Sequence, residues 1–134
     1  MGGPSIVTVA ATLFVIAALG GLTMAIFIFK NRFPPLILIV GHGFFGLFAL
    51  ALTVWSTGTP GTPSLVDYGI VTLLFAAIAG VFLISFQFRD EMQPKLVVVL
   101  HGLVAATGVT CIFTGFYEMI RSGRAVQWIS WVAQ

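Results

Sequence analysis

The sequence is poor in charge. Only six Lys and Arg and four Asp and Glu occur among its 134 residues, and 59% of the chain is hydrophobic. No soluble domain of this length buries so much apolar surface, so the composition excludes a soluble globular protein and indicates an integral membrane protein. The formal net charge of +2 is also too small to indicate a nucleic acid as a partner.

Cysteine and histidine are equally scarce. The one cysteine, Cys111, cannot form a disulfide within the chain, and we interpret it as a small apolar residue of a membrane helix. The two histidines, His42 and His101, both stand inside apolar runs. An imidazole in the core of a bilayer is costly, which makes both residues candidates for a functional site.

Four long stretches contain no charged residue: 1–29, 33–66, 68–88 and 96–117. A helix needs about 20 apolar residues to cross a bilayer. The sequence therefore predicts an all-α membrane protein with four helices, at 5–29, 35–55, 66–88 and 94–117. Residues 1–134 form a single membrane domain without room for a soluble catalytic domain, so any chemistry takes place in the bundle or in a partner.

Residues near the helix ends have simple structural interpretations. Ser64-Leu-Val-Asp67 resembles a capping box, so we interpret Asp67 as a helix-end acid rather than a catalyst. In the tail, 118–134, the residues Trp128, Ile129 and Val132 share one helical face. This pattern predicts a short C-terminal helix that lies on the membrane surface.

Basic residues predict the orientation. Four of them lie in the two short turns: Lys30, Arg32, Arg89 and Lys95. The loop at 56–65 has none, and the tail has Arg121 and Arg124. Because basic residues in short loops stay in the cytoplasm, we expect a four-pass protein of a bacterial inner membrane with both termini outside the cytoplasm.

The two halves of the sequence resemble each other at an offset of 59 residues. The matching pairs are Ala17 and Ala76, Gly21 and Gly80, Pro35 and Pro94, His42 and His101, and Gly43 and Gly102. We interpret them as an internal duplication, with repeats at 5–58 and 64–117. Two tandem two-helix hairpins predict an up-down-up-down four-helix bundle in which helices two and four are diagonal neighbours.

The duplication places the two histidines at one depth. Each lies seven residues after its proline, which is about 10 Å along a helix. Gly21 and Gly80 fall at nearly the same level on the other two helices. Small residues, among them Gly46 and Ala105, follow the histidines on one helical face. A flat macrocycle needs such small neighbours, although close helix packing needs them too.

This pattern favours one haem b held by both histidines, because histidine is a common axial ligand and bundle interiors hold such cofactors. The backbone carbonyls of Leu38 and Val97 are the expected acceptors for the second ring nitrogens, and basic residues of the turns the expected partners of the propionates. No Cys-x-x-Cys-His is present, which excludes covalent attachment. The candidate cofactor-binding residues are His42, His101, Gly21, Gly43, Gly46, Gly80, Gly102, Ala105, Arg32, Arg89 and Lys95, with both histidines as the metal ligands.

Four other interpretations stay open. Each histidine could ligate its own chlorophyll-type pigment in a photosynthetic subunit, or both could bind a bare metal ion. They could also relay protons or a substrate in a transporter. Finally, they could be structural residues of a cofactor-free assembly subunit of a membrane complex.

At the level of architecture, the bundle, the diagonal histidine pair and the flanking glycines resemble the small four-helix b-type membrane cytochromes. Respiratory cytochromes of this kind often carry two haems, whereas two histidines limit this chain to one. The resemblance implies transfer of single electrons, between a quinone and a partner subunit of a respiratory or photosynthetic complex. The sequence does not locate a quinone site.

Overall fold

The computed structural model describes residues 6–57 and 64–122 and is all-α in these ranges. The described ranges contain four helices: α1 (Ile6–Phe29), α2 (Leu36–Thr57), α3 (Ser64–Phe88) and α4 (Lys95–Arg121). All four are long and apolar enough to cross a membrane. The predicted all-α membrane protein with four spans is confirmed at this level.

α1 and α3 end in the same way, at residues 59 positions apart. Asn31 follows α1 with a φ of 53°, and Asp90 follows α3 with a φ of 54°. The next amide in each case returns to a carbonyl five residues earlier, Arg32 to Phe27 at 2.9 Å and Glu91 to Phe86 at 2.9 Å. These are the bonds of a Schellman motif, in which Asn or Asp replaces the usual glycine.

The helix bounds differ from the predicted ones mainly at the far end of α4. The sequence predicts an end at 117, but α4 continues through Glu118 and the buried Met119 to Arg121. Neither Pro nor Gly interrupts this stretch, and Met119 gains packing by remaining helical. Asp67 lies in the first turn of α3, as expected. The predicted surface helix around Trp128 lies outside the described residues.

The four helices pack unequally. α1 packs mainly on α2 and α3 mainly on α4, whereas α2 with α3 and α1 with α4 share fewer contacts. A cluster of buried residues from all four helices joins the two pairs, and we call it the core cluster. It consists of Ala10, Phe14, Ala49, Leu50, Val66, Leu73, Ile112 and Phe116.

Glycines set the close approach of α3 and α4 beside the core cluster. A Cβ on Gly69 would lie 2.8 Å from the Gly108 carbonyl oxygen and 2.5 Å from Ile112 Cγ1. A Cβ on Gly108 would lie 2.8 Å from Leu73 Cγ. These two glycines therefore serve helix packing, the simpler of the two interpretations that the sequence left open for small residues.

Candidate functional site

The structure brings the two histidines together. The ring centroids of His42, on α2, and His101, on α4, are 6.2 Å apart, with an angle of 71° between the ring planes. His42 also lies against Gly21 of α1, and His101 against Gly80 of α3. One short segment from each helix thus meets at a single level, which we call the histidine level. The prediction that the two glycines lie at nearly the level of the two histidines agrees with these contacts.

Each imidazole is hydrogen-bonded to the backbone of the helix beside it. Nδ1 of His42 lies 2.8 Å from the Ala17 carbonyl oxygen, and Nδ1 of His101 lies 3.0 Å from the Ala76 carbonyl oxygen. A carbonyl oxygen only accepts, so Nδ1 donates its proton in both bonds.

The acceptors differ from those expected. Leu38 and Val97, one turn earlier on the same helices, do not accept these bonds; Ala17 and Ala76 of the neighbouring helices do. The Cα–Cβ bond carries each imidazole away from the axis of its own helix and toward the neighbouring helix. A rigid imidazole ring reaches across to the adjacent helix instead.

The other ring nitrogen, Nε2, has no hydrogen-bond partner among the described residues in either histidine. In the neutral ring Nε2 carries the lone pair, because Nδ1 carries the proton. Gln93 Oε1 is the one buried side-chain nitrogen or oxygen without a partner in the described ranges. Each Nε2 therefore has no partner within the described residues and is not fully buried.

Gly21 and Gly80 face the imidazole rings. A Cβ on Gly21 would lie 2.9 Å from Cε1 and 3.2 Å from Nδ1 of His42, and a Cβ on Gly80 would lie 3.4 Å from Cε1 of His101. The missing side chains thus make room for the histidines themselves. The sequence assigned this space to a macrocycle, and the structure shows the ring of each histidine beside it.

The other small residues near the histidines have less crowded surroundings. A Cβ on Gly43 or Gly102 would meet no atom within 4 Å, and one on Gly46 would meet only Ala17 Cβ, at 3.9 Å. Ala105 is half-buried and packs against the core cluster. The described residues therefore leave the space beside the three glycines open.

Of the predicted propionate partners, Arg32 and Arg89 lie in the turns and Lys95 begins α4. Arg32, Arg89 and Lys95 are all exposed. Arg89 already has two partners, since its Nε lies 3.2 Å from Glu91 Oε2 and its guanidinium lies 4.6 Å from the centroid of the Phe86 ring. Arg32 and Lys95 are thus the less engaged of the three cations.

A pair of amide side chains, the half-buried Gln87 of α3 and the buried Gln93 before α4, was missed in the sequence. Gln93 is 6% exposed; its Nε2 donates to Gln87 Oε1 at 3.2 Å, and its Oε1 has no partner. The offset of 59 places Ile28 and Pro34 at these positions in the first hairpin. These two glutamines, opposite apolar residues of the first half, were the sequence signal that could have revealed the pair.

Within the described ranges, no group of three or more His, Cys, Asp or Glu is placed to hold a metal ion. A pair of imidazoles alone falls short of the four protein ligands of a typical structural metal site. Two imidazoles do suffice when the metal brings its other ligands with it. Comparison with protein families, with curated proteins and with solved structures finds no match to this chain.

Proposed function

We propose that this protein is a b-type cytochrome, a membrane electron-transfer subunit that holds one haem b between His42 and His101. One observation carries the proposal. Two imidazoles meet at one level, each with Nδ1 bonded to a backbone carbonyl and Nε2 left free. Ligating histidines almost always donate the other ring N–H in this way, which fixes the tautomer that binds the metal.

The spacing of the rings supports a shared metal. Metal–imidazole bonds are about 2.0–2.1 Å long for zinc, and two such bonds plus two ring radii separate the ring centroids by about 6 Å. The observed separation is 6.2 Å. The angle of 71° between the planes is compatible with this arrangement, because each ring can rotate about its metal bond.

The same spacing argues against two pigments between the rings. Stacked macrocycles add a further separation of about 3.5 Å or more between their planes. The centroids would then lie well beyond 6.2 Å. A bare metal ion is disfavoured as well, since the described residues offer no third ligand beside the pair.

We propose that the fold is an up-down-up-down bundle of two tandem hairpins that arose by duplication. Contacts at matching repeat positions support it: Ala17 with His42, and Ala76 with His101. The two turns with positive φ at Asn31 and Asp90 support it again. In this arrangement α2 and α4 are diagonal neighbours. This agrees with the described residues, in which the backbones of α2 and α4 do not pack against each other.

Haem bound by both histidines would supply one-electron chemistry without an open coordination position. The chain's own residues hold and orient the two rings and surround them with apolar side chains. Arg32, in the turn before α2, and Lys95, the first residue of α4, are the cations available to propionates. The function that follows is the transfer of single electrons between a quinone and a partner subunit of a respiratory or photosynthetic complex.

Substitution of the two ligands tests the proposal. His42→Ala and His101→Ala should each abolish the low-spin, bis-histidine signal in the electron paramagnetic resonance spectrum of the oxidised protein. The losses should be equal, because both rings have the same partners. Ile37→Ala, at an exposed position of α2, is the control and should retain the signal. An intact low-spin signal in either histidine variant contradicts a shared haem.

A further inference from the structure

An unusual hydrogen bond occurs twice at the histidine level. The carbonyl oxygen of a helical residue already accepts the amide proton of the residue four positions later. In α1 and α3, the carbonyls of Ala17 and Ala76 accept an imidazole proton in addition. A second donor needs open space beside a carbonyl that a helix normally covers.

The residue four positions later controls that space. Cα–Cβ bonds tilt toward the N-terminus of a helix, so the side chain at i+4 leans over the carbonyl of residue i. That position is Gly21 for Ala17 and Gly80 for Ala76. In both cases the space of the missing Cβ is bordered by the imidazole ring, with Cε1 at 2.9 Å for His42 and 3.4 Å for His101.

We propose that Gly21 and Gly80 are positioning residues for the two histidines. Each leaves the carbonyl of the alanine four residues earlier open to the Nδ1–H of the histidine on the next helix. The glycine thereby selects the tautomer whose Nε2 is free and holds the ring in the direction that a metal requires. Only the metal-binding consequence rests on the proposed function; the hydrogen bond belongs to the protein alone.

This role differs from a macrocycle slot and from helix packing. A slot glycine would border open space, as Gly43 and Gly102 do, where a Cβ would meet no atom within 4 Å. A packing glycine would border backbone or aliphatic side chains, as Gly69 does with Gly108 and Ile112. The three atoms nearest to the Cβ position of Gly21 are all His42 ring atoms, and the atoms within 4 Å of that of Gly80 are His101 ring atoms.

The space between glycine and imidazole is tighter at Gly21 than at Gly80. At Gly21 an added Cβ would lie 2.9 Å from a ring carbon, closer than real side chains approach, whereas at Gly80 the nearest ring atom is 3.4 Å away. Alanine should therefore displace His42 from its carbonyl, while His101 should tolerate alanine with a small shift.

Proton exchange at the rings tests the proposal in the full-length purified chain. In ¹⁵N-histidine-labelled protein, each Nδ1–H should give a slowly exchanging resonance, assigned with the His42→Ala and His101→Ala variants. Reduced low-spin iron is diamagnetic, so the signals are readable with or without haem. Gly21→Ala should accelerate exchange at His42 Nδ1 about tenfold or more and leave His101 unchanged. Gly80→Ala should have a smaller effect, confined to His101.

Gly41→Ala is the matched control, a helical glycine next to His42 with no atom within 4 Å of its missing Cβ. It should leave both resonances unchanged. An unchanged His42 resonance in Gly21→Ala, or an equal change in Gly41→Ala, overturns the proposal.

A double substitution covers the case in which Gly21→Ala folds poorly. In wild type, Gly21→Ala should lower the midpoint of thermal unfolding, because the methyl group collides with the ring. In the His42→Ala background the same change should be neutral or stabilising, since alanine favours a helix. An equal loss in both backgrounds would make Gly21 a packing residue. Slow Nδ1–H exchange in a protein that binds no haem would refute the cytochrome and leave the positioning role intact.

Discussion

The two histidines of this protein find their second-nitrogen partners in the backbone. No Asp or Glu of the described ranges lies at the histidine level, since all four stand at helix ends or in a turn. Carbonyl oxygens of Ala17 and Ala76 take the place that carboxylates hold in many metal sites. An uncharged acceptor suits an apolar bundle, because it avoids a buried carboxylate.

The sequence indicated that His42 and His101 lie close together, but not which contacts their rings make. Two lone histidines at an offset of 59 indicate a shared site, since each alone is costly in an apolar helix. The acceptor of the His42 proton depends on how closely α1 approaches α2, and that of the His101 proton on how closely α3 approaches α4. The periodicity of the sequence does not predict these distances. Gly21 was recognised as a member of the site, yet its contact with His42 became visible only in the structure.

The Gln87–Gln93 pair gives a prediction at the residue scale. Gln87→Ile alone should lower stability by about 1–3 kcal/mol, because it leaves the buried amide of Gln93 without its partner. The double variant Gln87→Ile with Gln93→Pro installs the residues of the first hairpin, Ile28 and Pro34. It should be as stable as wild type or more so, since both polar partners are gone.

Unfolding of the purified protein in increasing denaturant measures both changes. The single variant Gln93→Pro serves as the control for the proline itself. A double variant that is less stable than wild type by as much as Gln87→Ile would show that the amide pair itself stabilises the turn.

At the scale of the helices, the sequence was sufficient for number and approximate length. Charge-free stretches and proline positions predicted α1, α2 and α3 to within two residues at each end. The end of α4 was missed because Glu118 and Arg121 suggested a polar tail, whereas the buried Met119 keeps that stretch helical. Tertiary packing sets the end of α4, and local composition alone does not predict it.

The α3–α4 contact gives a prediction for element packing. Gly69→Ala should destabilise the protein by about 1–3 kcal/mol, since the new methyl group would lie 2.8 Å from a backbone oxygen that cannot move cheaply. Gly41→Ala, where no atom lies within 4 Å, should be neutral or stabilising by up to about 1 kcal/mol. Thermal unfolding with and without added haem measures both.

The loss for Gly69→Ala should be equal in the two conditions, because this contact belongs to the core side of the bundle. A loss seen only with haem would mean that Gly69 belongs to the cofactor site.

At the scale of the whole molecule, four apolar helices make this an integral membrane protein. The orientation is a prediction from the basic turns, and single cysteines test it in a Cys111→Ala background. Phe33→Cys and Met92→Cys occupy equivalent positions of the two turns, and Ser64→Cys marks the start of α3. In intact spheroplasts, a membrane-impermeant maleimide should label Ser64→Cys only; after permeabilisation it should label all three.

Labelling of Phe33→Cys and Met92→Cys from opposite sides would contradict the tandem hairpins. Labelling of both from outside, with Ser64→Cys protected, would invert the orientation but keep the hairpins.

The most direct measurement of the central claim is the absorption spectrum of the wild-type protein, purified from cells supplied with ample haem. We predict a sharp, redox-sensitive b-type spectrum and one haem per chain, extractable with acid and organic solvent because no cysteine attaches it. The oxidised protein should be low-spin, as two imidazole ligands require. A colourless protein, or one whose pigment extracts as chlorophyll, would contradict the account.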